Sequence, residues 1–501
     1  MALALSSALF TLPARADDDP AVLMVKHAVF TGWQLGDGKV KTLISRRTGA
    51  DKSGKPLFDS LELRAGMFYR RDLSYPDGTA DSSGFTGRLF WESHENGFST
   101  PVTANSAPFR LAFDAVLAEG TPQLPATSDG TGTIDGKSYD IVNVTMEGAD
   151  PMDLWIDPAS GAYARVVIDP KGDDETTLDK LAYATVGGKK FLSSFTYADD
   201  GEVVTYSEFK PNAPVTAATL HPPAPSATWA FTNDKPFKIR VTTDRIYVDA
   251  TLNGVAGRFI LDTGSYGILL TRKFAGKINA KAFSHTRTIG IGGEGDVKTD
   301  LLKVDTVQIG GNTLSNVVVG VNKAEFHDTD EDPDGLIGFP LFGGAVVEVS
   351  TSAQTMAIHD PQSSLDAFPG VTVLPDLSDG TPVVPMKLNG DVDVNATLDT
   401  GNPTYVFFAH DLAAKTGMKF LVDNSSAASH LEMSGVSGSE IDQCGSLDSL
   451  QLGPVVYSPA PGCSTFSETG RDVVVGFDLL KNFDFVFAYP QGKIILIPHK
   501  Q

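Results

Sequence analysis

The carboxyl-terminal half of the chain contains the same series of segments twice, and no other sequence feature limits the fold as strongly. Copy one spans residues 237–360 and copy two spans residues 381–498. An apolar strand runs into Asp-Thr-Gly at Asp262 in the first copy and at Asp399 in the second. A trailing apolar-apolar-Gly segment ends 76 residues after the first Asp and 77 residues after the second. Because chance does not preserve such spacing, the copies predict two equivalent lobes.

The trailing segments complete a pair of motifs in each copy. The first is Leu-Ile-Gly, ending at Gly338, and the second is Val-Val-Gly, ending at Gly476. Together with the two Asp-Thr-Gly triplets, this pattern resembles the aspartic proteases of the pepsin and retroviral (retropepsin) type. The resemblance implies a mostly β protein with a bilobal acid-protease β-barrel domain, in which lobe one spans residues 229–360 and lobe two spans residues 381–501.

The resemblance assigns catalysis to Asp262 and Asp399 and implies no cofactor. Hydrolysis of an amide by water needs a base that accepts the water's proton and an acid that protonates the carbonyl oxygen and then the leaving nitrogen. Two carboxyl groups ~3 Å apart cannot both ionise, so they share one proton, as is typical of aspartic proteases. The pair therefore predicts activity that favours acid pH. Either Asp alone would more simply be a turn-forming residue, and only the paired placement indicates catalysis.

The residues that follow each Asp receive roles from the same resemblance. Glycines at the third position of the triplets lack a Cβ and let the opposite loop approach closely. In the family, the Thr of each triplet hydrogen-bonds across the lobe interface, and the next residue after the Gly carries a hydroxyl for the outer carboxylate oxygen. Asn402 departs from this pattern, and Pro403 further restricts its loop. The predicted catalytic-loop support consists of Thr263, Gly264, Ser265, Thr400, Gly401 and Asn402.

A Gly-rich segment downstream of each Asp predicts a hairpin tip that closes over the substrate as a flap. We assign the flaps to Gly292 and Gly293 in copy one and to Gly435 in copy two. The first tip, residues 290–295, also fits the Gly-x-Gly-x-x-Gly string of dinucleotide sites, but an extended segment follows it rather than a helix. The nine histidines show no metal-ligand spacing. We therefore predict neither a cofactor-binding site nor a metal site.

The amino-terminal half predicts an export signal and a β-rich domain. An apolar run at residues 1–16 ends in Ala-Arg-Ala, which fits a signal peptide that is truncated because its basic start is missing. Residues 20–210 contain two predicted helices, at 21–33 and 106–119, among antiparallel strands with short turns. This order resembles periplasmic lipoprotein-carrier half-barrels, which implies a groove for an acyl chain or a lipoprotein. A Pro- and Ala-rich linker follows at residues 211–228.

The net charge limits the partners that the protein can bind, and the two cysteines bear on the compartment in which it acts. With 62 acidic and 40 basic residues the chain carries a net charge of -22, which repels nucleic acid. The two cysteines, Cys444 and Cys463, form either a disulfide in an oxidising compartment or two separate buried thiols. We expect a periplasmic or secreted protein. The alternative to the signal peptide is a frayed apolar terminus, and the alternative to the half-barrel carrier is a β scaffold that binds nothing.

The leading hypothesis is an exported, monomeric aspartic endopeptidase that hydrolyses a peptide or protein substrate through Asp262 and Asp399. Fusion of two lobes in one chain removes the need for a dimer. The alternative is a catalytically inactive protease-fold module that binds peptides or lipidated proteins, and Asn402 is the residue that favours it. The presence of an Asp in both triplets argues for the enzyme.

Overall fold

The computed structural model shows a mostly β protein, with 55% of residues in strands and 9% in helices. This confirms the fold class predicted from the sequence. The chain divides into two compact units, residues 1–69 with 104–219 and residues 70–103 with 220–501, so it passes between them three times. The structure describes residues 19–499 except 67, 87–89, 94–96, 103–124, 146–149, 173–174, 289–296, 323–331, 378–379, 421–429, 436–437 and 466–472.

The first helix and thirteen strands precede residue 212. They are α1 (Pro20–Thr31), β1 (Thr42–Ala50), β2 (Pro56–Ala65), β3 (Phe68–Ser74), β4 (Ala80–Phe85), β5 (Phe90–Ser93), β6 (Ser99–Val102), β7 (Ala126–Ile134), β8 (Lys137–Val144), β9 (Met152–Ile156), β10 (Tyr163–Ile168), β11 (Thr176–Val186), β12 (Lys189–Tyr197) and β13 (Val203–Pro211).

Helix α1 has clear start and stop signals in the sequence. The Asp19 side chain accepts a backbone N–H of the first turn, which satisfies a donor that has no partner within the helix. Gly32 ends the helix with φ 79°, a left-handed conformation that glycine adopts without strain. The helix predicted at residues 21–33 is therefore confirmed. The helix predicted at residues 106–119 lies outside the described residues.

The first unit is built on a half-barrel sheet. Its antiparallel strand order is β2-β1-β13-β12-β11-β10-β9-β8-β7. Consecutive strands are neighbours because short turns connect them. Apolar side chains of successive strands, among them Leu154, Val166 and Phe195, share one buried cluster with Leu23 of α1. The sheet and the helix therefore close one core.

The middle of the chain supplies thirteen further strands. They are β14 (Thr228–Ala230), β15 (Phe237–Lys238), β16 (Arg240–Val241), β17 (Ile246–Leu252), β18 (Val255–Leu261), β19 (Ile268–Leu270), β20 (Ala282–Thr288), β21 (Val297–Ile309), β22 (Asn312–Val321), β23 (Gly335–Ile337), β24 (Val346–Ser350), β25 (Thr355–His359) and β26 (Val371–Val373). Two short helices, α2 (Arg272–Ala275) and α3 (Phe339–Gly343), lie among them.

Six of these strands form a closed barrel. Its order is β22-β19-β23-β18-β17-β21, and the pairing of β21 with β22 closes the ring. A two-residue turn joins β17 to β18, where Asn253 and Gly254 have φ angles of 47° and 83°. Both positive angles suit the tight hairpin turn that Asn-Gly favours. The β18–β23 pair is parallel and places the trailing segment of copy one beside the strand that leads to Asp262.

The last part of the chain contains β27 (Val383–Leu388), β28 (Val392–Leu398), β29 (Val406–Ala409), β30 (Lys419–Phe420), β31 (His430–Gly435), β32 (Gly438–Leu447), β33 (Leu450–Leu452), β34 (Val455–Tyr457), β35 (Ala460–Thr465), β36 (Val473–Val475), β37 (Phe483–Ala488) and β38 (Lys493–Pro498). The helices here are α4 (His410–Lys415) and α5 (Phe477–Leu480), and a short 3-10 turn, Tyr489–Gln491, lies between β37 and β38. Another 3-10 turn, Ala217–Leu220, lies before β14.

Strand pairing in this part follows the order seen in the barrel. Strand β27 pairs with β28 across the turn at Asn389 and Gly390, which have φ angles of 52° and 83°. Strand β28 is parallel to β36, β36 is antiparallel to β29, and β29 is parallel to β35. A further sheet has the order β15-β25-β24-β37-β38-β26. It combines β15, β24 and β25 of copy one with β37 and β38 of copy two, and β26 lies between the copies in sequence.

Residues 70–103 contribute to the core of the second unit. The indole N–H of Trp91 donates to the carbonyl of Leu220 at 3.3 Å, and the backbone N–H of Ser226 donates to Gly97 at 3.0 Å. Phe98 and Ala227 are buried in the same apolar cluster as the barrel strands. The segment before β14 is therefore packed against an excursion of the chain that lies more than a hundred residues upstream.

Candidate active site

Each Asp of the two triplets lies just after a buried strand and is held by the trailing segment of its own copy. The backbone N–H of Asp262 donates to the carbonyl of Ile337 at 3.0 Å, and that of Asp399 donates to Val475 at 2.9 Å. These bonds extend the parallel pairs β18–β23 and β28–β36 by one residue. The near-equal spacing in the sequence thus has a physical cause, because the trailing segment anchors the base of each loop.

The two loops meet at their glycines. A Cβ built on Gly264 would lie 2.3 Å from the carboxyl carbon of Asp399, and a Cβ built on Gly401 would lie 2.4 Å from that of Asp262. Real side chains do not approach so closely, so only glycine fits at either position. Each carboxyl group therefore lies against the backbone of the opposite loop. Asp262 and Asp399 are called the aspartate pair below.

Backbone N–H groups orient both carboxylates. Asp262 Oδ1 accepts the N–H of Gly264 at 2.9 Å. Asp399 Oδ1 accepts the N–H groups of Gly401 at 3.0 Å and Asn402 at 3.1 Å. Such bonds fix the rotation of each carboxylate.

Thr263 and Thr400 lock the two loops together through reciprocal bonds. Thr263 Oγ1 donates to the carbonyl of Leu398 at 2.6 Å and accepts the N–H of Thr400 at 3.0 Å. Thr400 Oγ1 donates to the carbonyl of Leu261 at 2.7 Å and accepts the N–H of Thr263 at 3.1 Å. Both side chains are buried. Each of the two side chains therefore bonds to the backbone of the opposite loop.

The resemblance implies that the side chains of Ser265 and Asn402 point to the carboxylates, but neither side chain does so. The Ser265 hydroxyl donates to the carbonyl of Gly267 at 3.1 Å. Asn402 Oδ1 accepts the N–H of Thr404 at 3.0 Å and its hydroxyl at 2.7 Å, as in an Asx turn. Local bonds two residues ahead therefore take both side chains away from the position expected from the sequence. The Asn402 amide nitrogen is buried, with no hydrogen-bond partner among the described residues.

Two residues near the loops were missed by the sequence reading. The Arg245 guanidinium is buried, and its Nε donates to the carbonyl of Gly401 at 3.3 Å while Nη1 lies 3.3 Å from Asp244 Oδ2. Tyr489 comes from the turn between β37 and β38, and it packs against Phe339. Neither residue belongs to a motif. Only their three-dimensional neighbours reveal them.

The predicted flaps lie at the edge of what the structure describes. Gly292 and Gly293 lie outside the described residues, as does the Gly-rich string 290–295. The strands that flank this tip, β20 and β21, pair up to Thr288 opposite Val297. In copy two, Gly435 pairs with Gly438 at the end of the β31–β32 hairpin. The described strands on either side of each tip therefore pair with each other as antiparallel neighbours.

The two cysteines form a disulfide in the structure. Cys444 and Cys463 lie directly opposite each other on β32 and β35, and a bond joins their sulfurs. In the described part of the chain, no group of three or more His, Cys, Asp or Glu side chains could hold a metal ion. No helix in the same residues has the length and hydropathy needed to cross a membrane.

Part of the chain matches a known protein family. Residues 248–341 match the family model described as aspartyl protease. The matched segment contains Asp262, its Asp-Thr-Gly triplet and the trailing segment that anchors it, and it ends before copy two begins. No curated protein matches the chain. The family match, together with the loop geometry around Asp262, supports an aspartyl protease domain in the second unit.

Proposed function

We propose that this protein is an exported aspartic endopeptidase in which Asp262 and Asp399 together activate water for peptide-bond hydrolysis. One observation carries the proposal: a Cβ on Gly264 would lie only 2.3 Å from the carboxyl carbon of Asp399, and a Cβ on Gly401 only 2.4 Å from that of Asp262. Such reciprocal contact brings two carboxyl groups onto one short stretch of backbone. A turn-forming role for each Asp separately would not require it.

The chemistry follows from two carboxyl groups that share one proton. The ionised carboxylate accepts a proton from water as the water oxygen bonds to the amide carbon, and the protonated carboxyl gives its proton to the carbonyl oxygen. Collapse of the tetrahedral species breaks the C–N bond, the leaving nitrogen receives a proton from one carboxyl group, and a hydroxyl of the tetrahedral species returns its proton to the other as the C=O bond re-forms. The proton count returns to its starting value. Each catalytic turnover consumes one water molecule and yields a carboxylic acid and an amine.

The substrate would be an extended peptide or a protein segment that lies across the two loops. The proposal takes the strand pairs β20–β21 and β31–β32 as the two flaps, because one pair follows each Asp along the chain. Both aspartates come from one chain, which favours a monomeric enzyme. We further propose that the protein acts in the periplasm or outside the cell, with the acyl-chain or lipoprotein role of the first unit as a separate hypothesis.

The test uses the full chain and a mixed peptide library between pH 3 and 8. The variants Asp262→Asn and Asp399→Asn keep the side-chain shape but remove one acid–base group, and we expect each to lower hydrolysis by about 10²–10⁴-fold. The matched controls are Asp249→Asn and Asp393→Asn, because both are exposed aspartates in ion pairs on the strands that precede the loops. Hydrolysis that survives in both loop variants would refute the proposal.

A second candidate is a protease-fold module that binds peptides or lipidated proteins without cleaving them. The observation that favours it is the Asn402 side chain, which bonds to Thr404 instead of supporting Asp399. The same library distinguishes the two. Peptides that are retained by the protein and recovered intact at every pH would support the binding module, whereas new peptide ends that depend on both aspartates would exclude it.

A further inference from the structure

We propose that the Tyr489 hydroxyl is a positioning group for the aspartate pair and supports negative charge on Asp262 and Asp399 from the buried side of their loops. This inference rests on the proposed function, which it extends to a residue outside both catalytic motifs. The residue lies 90 positions after the second Asp, in the turn between the last two strands.

Tyr489 is fixed in place by an aromatic cluster. Its side chain is 1% exposed. The ring lies 5.4 Å from Phe342, 6.3 Å from Phe339 and 6.0 Å from Phe487, measured between centroids. Phe339 directly follows the trailing segment of copy one, and its backbone N–H donates to the carbonyl of Ser265 at 3.0 Å. The cluster therefore holds the phenol beside Phe339, which is hydrogen-bonded to the loop that carries Asp262.

The hydroxyl itself is unusual in this position. It is buried, and no donor or acceptor among the described residues lies within hydrogen-bonding distance of it. A buried hydroxyl without a partner is unfavourable, and phenylalanine would fill the same space without that cost. The three neighbouring rings are all phenylalanine. A tyrosine here is therefore best explained by an interaction that acts over a longer distance than a hydrogen bond.

The pKa of the Tyr489 hydroxyl identifies the charged groups that act on it. Burial raises the pKa of its hydroxyl well above the ordinary value, and the charges of Asp262 and Asp399 raise it further. The neutral phenol therefore persists throughout the working pH range. Because a hydroxyl hydrogen rotates to suit its surroundings, the O–H dipole can point toward the negative charge of the pair. In a buried site this dipole is poorly screened.

Other charged groups near Tyr489 do not supply the same effect. Helix α3 and strand β6, which pack against its turn, carry no titratable side chain. On β37, Asp484 is paired with His499 at 2.9 Å and accepts further bonds from Ser352. Lys493, at the start of β38, is exposed. The charged groups that we assign to the phenol are therefore Asp262 and Asp399, both of which are half-buried.

The test is the pH dependence of kcat/KM for the full chain and for Tyr489→Phe. Loss of the dipole makes the ionised pair less favourable, so its lower apparent pKa rises. The acid limb should then move to higher pH by about 0.5–1 unit. The control is Tyr457→Phe, because burial alone accounts for the raised pKa of that phenol, and its profile should match the parent. An acid limb that stays in place in Tyr489→Phe, or that moves equally in both variants, overturns the inference.

A second measurement does not depend on hydrolysis. NMR titration of the full chain with aspartate labelled with ¹³C at Cγ reports the two apparent pKa values of the pair, and Asp262→Asn and Asp399→Asn identify the signals. We expect the same upward displacement in Tyr489→Phe and in Tyr489→Leu, which also lacks the hydroxyl. A displaced titration in a protein that cleaves nothing would reject the proposed function and retain this inference. Asp-dependent cleavage with an unmoved titration would reject this inference alone.

Discussion

Substitution of Gly401 by alanine offers a sharp test of the loop geometry. The new Cβ would lie 2.4 Å from the carboxyl carbon of Asp262, whereas ordinary van der Waals contacts of a Cβ begin at 3.4 Å. The loop or the carboxylate must therefore move by 0.6 Å to reach 3.0 Å, below which real Cβ contacts are not found, and by 1.0 Å to reach an ordinary contact at 3.4 Å. Misplacement by ~1 Å costs about 10²-fold in the rate of an enzyme whose reacting groups must be precisely placed.

The expected result for Gly401→Ala is thus a fall in kcat/KM of about 10²-fold, or about 2.7 kcal/mol of transition-state stabilisation. The assay is steady-state hydrolysis of a peptide identified in the library, with thermal unfolding of the same samples. The control is Gly276→Ala, because a Cβ there meets its nearest neighbours at 3.5 Å and 3.7 Å. Full activity in Gly401→Ala, with the fold intact, would refute the reciprocal contact and the shared-proton argument built on it.

Two further predictions concern stability. Thr400→Val removes the hydroxyl that donates to Leu261 and accepts from Thr263, so the free energy of unfolding should fall by about 2–4 kcal/mol, whereas Thr400→Ser should retain most of it, as measured by urea unfolding. His27 is buried, and desolvation lowers its pKa to about 4, so the folded state binds fewer protons than the unfolded state between that pH and about 6.5. Stability contributed by neutral His27 should therefore be present above about pH 6.5 and be lost as pH falls toward 4, by up to about 3 kcal/mol. Urea unfolding at several pH values should show a shallower acid loss in His27→Gln, and identical slopes would contradict the assignment.

The equal spacing between each Asp-Thr-Gly triplet and its trailing segment was informative, because a parallel strand pair fixes both ends of that interval. Leu261 pairs with Ile337, and Leu398 pairs with Val475, so an insertion between triplet and trailing segment must be absorbed by the intervening hairpin. Positive φ angles at the Asn-Gly turns were likewise predictable, because few other residue pairs adopt them. The Asn-Gly turns and the regular spacing of the motifs were thus the features that predicted a mostly β fold with an Asp at the end of a strand in each copy.

The details that the sequence could not provide depend on contacts between distant segments. The Asn402 side chain bonds within its own loop because the N–H and the hydroxyl of Thr404 both donate to it. The family pattern does not specify this interaction. Arg245 and Tyr489 approach the loops only after the strands are assembled. The association of residues 70–103 with the second unit similarly rests on Trp91 and Phe98, whose partners lie beyond residue 219.

The three passages of the chain between its units have a consequence for proteolysis. A single cut within residues 211–228 would leave residues 70–103 on the amino-terminal fragment, although their Trp91 and Phe98 belong to the core of the second unit. The two fragments would then behave as complementing pieces, since each contains part of one apolar core. Linker cleavage would therefore produce a nicked but associated protein, and maturation by simple shedding of the amino-terminal half is incompatible with this chain path.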